Sequence, residues 1–468
     1  MVTLRNMMGV TLLAASIACE NEGGLQSGIA EVNYNPPVGC TMVGNYRGND
    51  DASRGVHDSL YARAILFRGS NGVKAAMLTV DICWIKKPTI ELMRTHIAAH
   101  TDLLPENILI AATHTHSAPQ SLPDAPYAQE YMLRAADAVI EANRNLAPTT
   151  LFAGRTTEKR LSFSRRLHAT DSTTHMCWEK LPEGYIDSFL TQPDEELLAL
   201  GIQRKGAPAG IMVNFACHAT TMTGNNWLYS ADYPGYMVES LRKIYGPECM
   251  PMFFNGACGD VTQVDYRRGF VDTFEECQRI GYMLGSAAAE AMMNASEVYG
   301  SEVKVSHRMV PVKRITITPE QVAWAEAVMK RVEKEGMPPG QADGMPDAFY
   351  AHEWLELHKQ QDMVDSLEVM VLRVGDVAVT AFPGEIFARL GMEVKAKSPA
   401  KHTFVVCLAN DNRKYFPTAD AFSQGPKGFT PGITGYETTP GTTLYETGAS
   451  EKLAASALEQ LDAMFGHR

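Results

Sequence analysis

The sequence lacks the markers of several large protein classes. Its 9 cysteines include no Cys-x-x-Cys pair, which disfavours zinc fingers and thioredoxin-like redox motifs. Lys and Arg form no cluster, and 42 of them against 54 Asp and Glu leave a formal net charge of −12. A nucleic-acid partner is therefore not expected, because affinity for phosphate backbones comes from clustered positive charge. After residue 18 no apolar stretch reaches the roughly 18 residues of a membrane-spanning helix. Neither Gly-x-Ser-x-Gly nor the phosphate-binding P-loop pattern occurs, so serine hydrolase and nucleotide hydrolase chemistries have no anchor. Internal repeats and low-complexity tracts are missing too. With 45% hydrophobic residues, the chain has the apolar material for a folded core.

The N-terminus has the features of an export signal. Arg5 precedes an apolar run from Met7 to Ala18 that ends in small residues before Cys19 and gives way to Glu20-Asn21-Glu22. Residues 1–25 are expected to be a signal peptide or lipoprotein leader, with Cys19 the candidate lipid-bearing residue. The protein is accordingly expected to be exported: periplasmic, secreted or lipid-anchored at Cys19, with peripheral membrane contact through that lipid or through its substrate. The oligomeric state is left open.

Further along, apolar runs of strand length alternate with amphipathic stretches of helix length, the pattern of an α/β fold with a mixed sheet core covered by helices. Expected strands include 62–67, 74–80, 108–112, 210–216, 252–255, 367–374, 378–382 and 404–409. Expected helices include 90–100, 129–145, 233–245, 273–294, 319–335 and 451–465. The polar stretch 155–196, the Gly- and Pro-rich stretch 336–347 and the glycine-bearing stretch 423–441 read as loops. Residues 26–468 are expected to form one catalytic domain, with an insertion or lid around 315–365.

Four strand ends carry chemistry. Ile108–Ala112 runs into Thr113-His114-Thr115-His116, and in extended backbone residues two apart share a face, so both imidazoles would point the same way. They are either a metal and substrate pair or two ordinary loop histidines. A second apolar strand ends in Ala216-Cys217-His218, where Cys217, on the opposite face from His218, reads as core. A third opens into Asn255-Gly-Ala-Cys-Gly259-Asp260, a turn that would shape a pocket wall and makes Gly259 and Asp260 candidate substrate-binding residues. The fourth passes through Phe382-Pro-Gly-Glu385, an acid that either favours a helix N-terminus or completes a two-histidine metal site. By contrast, His352-Glu353 followed by His358 only superficially resembles a metalloprotease helix. Six helical positions leave the two imidazoles about 120° apart around the axis.

Taken in order, Ala112-Thr-His-Thr-His-Ser-Ala-Pro119, Asn214-Phe-Ala-Cys-His218, Asn255-Gly-Ala-Cys-Gly-Asp260 and Phe382-Pro-Gly-Glu385 resemble the neutral (non-lysosomal) ceramidase family, with support from Leu60–Ala64 and Ser230–Tyr236. The resemblance spans roughly residues 28–450. It implies a zinc hydrolase that splits a linear amide in an N-acyl sphingosine or related lipid, with one Zn2+ per chain held by His114, His218, Glu385 and Tyr415. Tyr415 follows from the family spacing kept by Asn410, Tyr415 and Thr418. The resemblance further implies that His116 is the acid/base residue and that Tyr436, in a Tyr-Glu pair also found at Tyr445-Glu446, stabilises the oxyanion. Arg165 matches the family's arginine, although Ser164 replaces the expected Asn. Familiar members continue into an immunoglobulin-like C-terminal domain, which is not expected here. Two other functions stay open: a zinc esterase, lactonase or amidase for a smaller polar substrate, and an exported binding protein with a degenerate site.

Overall fold

The computed structural model describes residues 24–47, 50–337, 344–425, 431 and 434–466; residues 1–23 of the expected leader, Cys19 among them, lie outside these, while Leu25 at its expected end packs in the core. Three mixed sheets form the centre. The first orders its strands Ile108–Ala112, Lys74–Val80, Tyr61–Arg68, Gln26–Asn33 and Ala147–Pro148. The second runs Met250–Asn255, Ala207–Phe215, Glu196–Arg204, Thr150–Thr157 and Ser296–Glu297, and the third Val303–Lys313, Val364–Val374, Val377–Ala381 and His402–Val406. Their inner faces meet in one apolar cluster, to which Phe67 and Met77 contribute from the first sheet, Met212 and Phe254 from the second, and Leu372 and Phe404 from the third. Such strands, buried on both faces, read as continuous apolar runs rather than alternating ones.

Helices cover the outer faces. Helices α1 (Lys87–His100) and α2 (Ala128–Arg144) pack on the first sheet, and α3 (Asp232–Tyr245) and α4 (Phe274–Met293) on the second. Helices α5 (Pro319–Glu335) and α6 (Asp347–Gln360) form a hairpin with its own core of Val328, Tyr350 and Trp354. Helices α7 (Ala388–Lys397) and α8 (Ala449–Phe465) back the third sheet.

Each sheet contains a single parallel pair: Lys74–Val80 with Ile108–Ala112, Ala207–Phe215 with Met250–Asn255, and Val377–Ala381 with His402–Val406. Every ligand candidate follows one of these strands at its carboxyl end, where α/β folds leave room for function. Polar bonds stitch the ends together across sheets. Asn214 Nδ2 donates within its own sheet to Phe254 O and across to Val405 O of the third sheet, at 2.8 Å each, while Asn410 donates its backbone N–H to Ile110 O (2.8 Å) and accepts from Ile110 N through its side chain (3.0 Å).

Two expectations change. The stretch 155–196 is not an irregular loop throughout, because Arg166–Ala169 pairs with Thr174–Met176 and Ile186–Phe189 in a small antiparallel sheet. Helix α6, hidden by an evenly mixed composition, occupies most of the second half of the expected insertion. The hairpin is anchored to the C-terminal loops: Trp354 Nε1 donates to Pro440 O (2.8 Å), and Glu353 pairs with Lys414 (2.6 Å).

Candidate metal centre and active site

His114 does not continue the strand as expected. Its φ of 76° puts it in the left-handed region, a conformation that costs a non-glycine residue about 1–3 kcal/mol and that clusters at functional sites. The kink replaces the expected extended geometry, yet the imidazoles still converge: His114 and His116 have ring centroids 4.8 Å apart at 81°, and His114 and His218 are 4.6 Å apart.

Both ligand candidates are tethered alike. His114 Nδ1 donates to the carbonyl of Cys83 (2.8 Å) and His218 Nδ1 to that of Val261 (2.9 Å). A carbonyl only accepts, so the proton sits on Nδ1 and Nε2 faces inward, the arrangement that orients imidazoles toward a metal. Burial and then Arg165 push His218 down to about 3, so its Nε2 carries a bare lone pair near neutral pH. Glu385 Oε2 lies 3.0 Å from His218 Nε2 and 3.4 Å from His114 Nε2. His114 Nε2 and Glu385 Oε2 have no hydrogen-bond partner although both atoms are buried.

Tyr415 stacks nearly parallel to His218 at 6.4 Å, its hydroxyl 3.5 Å from His218 Nε2. Arg165 Nη1 reaches His218 Nε2 (2.5 Å) and donates to Tyr415 OH (3.3 Å), and its guanidinium lies over Trp178. Burial opposes that charge, but Tyr415, Glu437 and Glu385 outweigh it and raise the group. Tyr436 packs edge-on against Tyr415 at 5.7 Å and near Trp178. Tyr445 is elsewhere, stacked on Phe416 and bonded to Asp365, so of the two Tyr-Glu pairs it is Tyr436 that lies against Tyr415.

His116 has Nδ1 3.3 Å from Asn45 Oδ1, while its buried Nε2 has no partner. Burial and the neighbouring His114 and His218 push it well below the ordinary histidine range. Gly44, at φ +100°, passes directly beneath the ring: an added Cβ would lie 2.5 Å from His116 Cγ.

Gly259 and Asp260 are both buried. Gly259 donates to Ile386 O (2.9 Å), and an added Cβ would lie 2.5 Å from Glu385 O. The Asp260 carboxylate accepts from Ala388 N (2.7 Å), capping α7, and from the Thr191 hydroxyl (2.9 Å). With both oxygens engaged, the turn braces Glu385 from behind.

A family model, that of the neutral/alkaline non-lysosomal ceramidase N-terminal region, matches residues 27–262, half of the chain. The chain belongs to this family. Among ceramidase relatives it resembles neutral ceramidases of Drosophila pseudoobscura pseudoobscura (26% identical over 235 residues, 46% of this chain and 32% of the relative) and Mycobacterium tuberculosis (26% over 236 residues, 47% and 36%). The matched regions thus span about a third of those relatives. The crystal structure of the Pseudomonas aeruginosa neutral ceramidase shares the fold over 94% of this chain and 74% of its own, with TM-score 0.71 and 18% identity. A ceramidase complexed with C2 aligns with TM-score 0.69 over 94% and 75%. Glu385, Tyr415 and Tyr436 lie beyond residues 27–262.

That geometry fits a metal ion, because lone pairs of His114, His218 and Glu385 converge with too few donors to satisfy them. Two trios, Cys83–His114–His116 and His114–His218–Cys258, keep one donor atom each within 4.8 Å of one another. With no ion bound, burial favours the neutral thiol at both cysteines, reinforced by Glu385 at Cys83 and by Cys407 and Glu385 at Cys258. The motifs missed Asn45, which has no distinctive local pattern, and Glu437, visible only as the second half of the Tyr-Glu pair. They also missed the Cys83 and Val261 carbonyls, because a backbone acceptor leaves no trace in side-chain identity.

Proposed function

We propose that this protein is a zinc-dependent amidohydrolase that cleaves ceramide or a related N-acyl lipid to fatty acid and amine. The observation that carries this reading is the convergence of two Nδ1-tethered imidazoles and a buried, unpartnered carboxylate oxygen beside Tyr415. His114, His218, Glu385 and Tyr415 would hold one Zn2+. When bound, zinc supplies Lewis acidity toward the amide carbonyl and makes water acidic enough to serve as nucleophile near neutral pH.

The chain's own groups do the rest. His116 Nε2, buried with its lone pair free, accepts a proton from the attacking water and returns one to the amine nitrogen as the C–N bond breaks. Arg165 and Tyr436 donate to the carbonyl oxygen as it gains negative charge, each a preorganised donor of the kind worth about 100-fold or more in rate. Trp178 beneath the guanidinium keeps Arg165 from swinging away.

The charged and aromatic lining, Arg165, Tyr415, Tyr436 and Trp178, also supports a second reading, hydrolysis of a smaller polar amide or ester. The same assay separates them: zinc quantification on the purified protein, with ceramides and short N-acyl amides screened for released fatty acid. Release from long-chain ceramide establishes the first reading; release only from short substrates establishes the second. A protein that binds no zinc and cleaves neither overturns both. Export is proposed from the N-terminal pattern; no helix among the described residues is long and apolar enough to cross a membrane.

A further inference from the structure

The mechanism leaves one buried charge unused. Glu437 is fully buried, in a single helical turn directly after Tyr436. Its Oε1 forms an ion pair with Arg165 Nε (2.9 Å) by charge proximity, without hydrogen-bond alignment, and its Oε2 accepts from Arg166 Nη1 (2.9 Å). Arg166 is itself buried and donates to Thr434 O (2.7 Å) and Gln424 Oε1 (3.3 Å), tying down the loop that delivers Tyr436. Gly435, at φ +96°, admits this contact, since an added Cβ would lie 2.4 Å from Arg166 Nη1. Two positive groups and one negative group therefore leave a buried net charge of +1 facing the reaction centre.

We propose that Glu437 is a positioning residue for the oxyanion site, holding Arg165 and Tyr436 as one unit and thereby setting where the anionic oxygen of the reacting carbonyl is received. This inference rests on the hydrolase reading above. Engaging Arg165 through Nε leaves Nη1 to face His218 and Tyr415. Because Tyr436 and Glu437 share one helical turn, the ion pair ties the position of Arg165 to the turn that carries Tyr436. An ordinary structural ion pair would only neutralise Arg166.

Two variants separate these roles. E437Q/R166Q removes one charge of each sign and keeps the buried net charge of the cluster at +1, so the loss falls on the Arg165–Glu437 pair and not on the overall charge. E437D keeps all charges and draws the carboxylate back by one methylene. For each, thermal melting and zinc content verify the fold. kcat and KM for a short-chain N-acyl amide, and the Kd of an alkyl phosphonate carrying the tetrahedral anion, then read the site. The proposal expects wild-type zinc content and nearly unchanged KM. It expects kcat about 100-fold lower in E437Q/R166Q and about 10-fold lower in E437D, with phosphonate affinity falling in parallel. Wild-type kcat and phosphonate affinity in either folded variant overturn it, as does failure of the wild type to bind phosphonate. If the wild type binds phosphonate but releases no fatty acid, the amidase reading fails while the phosphonate series still decides the role of Glu437.

Discussion

The tethered histidines make a sharp demand on single atoms. Replacing His114 with alanine removes an Nε2 that nothing else in the centre supplies, and zinc affinity is expected to fall by at least about 100-fold; metal analysis after dialysis checks this, and a variant that keeps zinc and full amidase activity rules out the ligand assignment. Gly44→Ala should instead leave zinc in place and lower kcat by about 100-fold, because the new methyl displaces the His116 ring and not a ligand. Asp260 makes a pH prediction. Burial pushes it up to about 6 from an ordinary 3.8, despite its bonds to Ala388 and Thr191. The folded state therefore holds this proton more tightly than the unfolded chain, so the stabilisation is complete below about pH 4 and is lost as pH rises through 6, by about 3 kcal/mol. Asp260→Asn keeps both bonds in neutral form, and urea melts at pH 4 and 6.5 should show that this slope has flattened.

Among elements, the alternating apolar runs made strands and helices legible wherever burial was one-sided or complete. The strands 74–80 and 108–112 and the helix 319–335 match their expected limits. Helix α6 escaped because its buried Tyr350, Trp354 and Leu357 serve a small private core and its remaining faces are polar. The small sheet around Arg166 escaped because polar residues facing a functional interior do not alternate with apolar ones. Of the residues named by motif, His114, His116, His218, Glu385 and Tyr415 converge while Gly259 and Asp260 sit behind them, and His114 shows the limit of local rules: the strand period could not register a left-handed kink imposed by tertiary contacts. The α5–α6 hairpin has a testable role as a buttress for the loops bearing Tyr415 and Tyr436. Trp354→Ala is expected to lose about 3–5 kcal/mol and to raise hydrogen exchange across residues 415–445. Unchanged exchange there would show that the hairpin stands apart.

At the scale of the whole molecule, the proposed ligands come from every one of the three sheets: His114 follows the first, His218 the second, Glu385 and Tyr415 the third. A metal bound by all four stabilises only the assembled arrangement. Chelation should therefore lower the melting temperature as one cooperative transition, by about 4 °C relative to protein with free zinc at 1,000 times its dissociation constant; two separated transitions would show that the sheets unfold independently. The cross-sheet bonds of Asn214 and Asn410 also bear on the order of events during folding. No partial chain can present the full ligand set, since Tyr415 emerges about 300 residues after His114. Ion capture is then a late event that registers completed docking, and a chain released too early would neither hold zinc nor expose a half-built hydrolase to its surroundings.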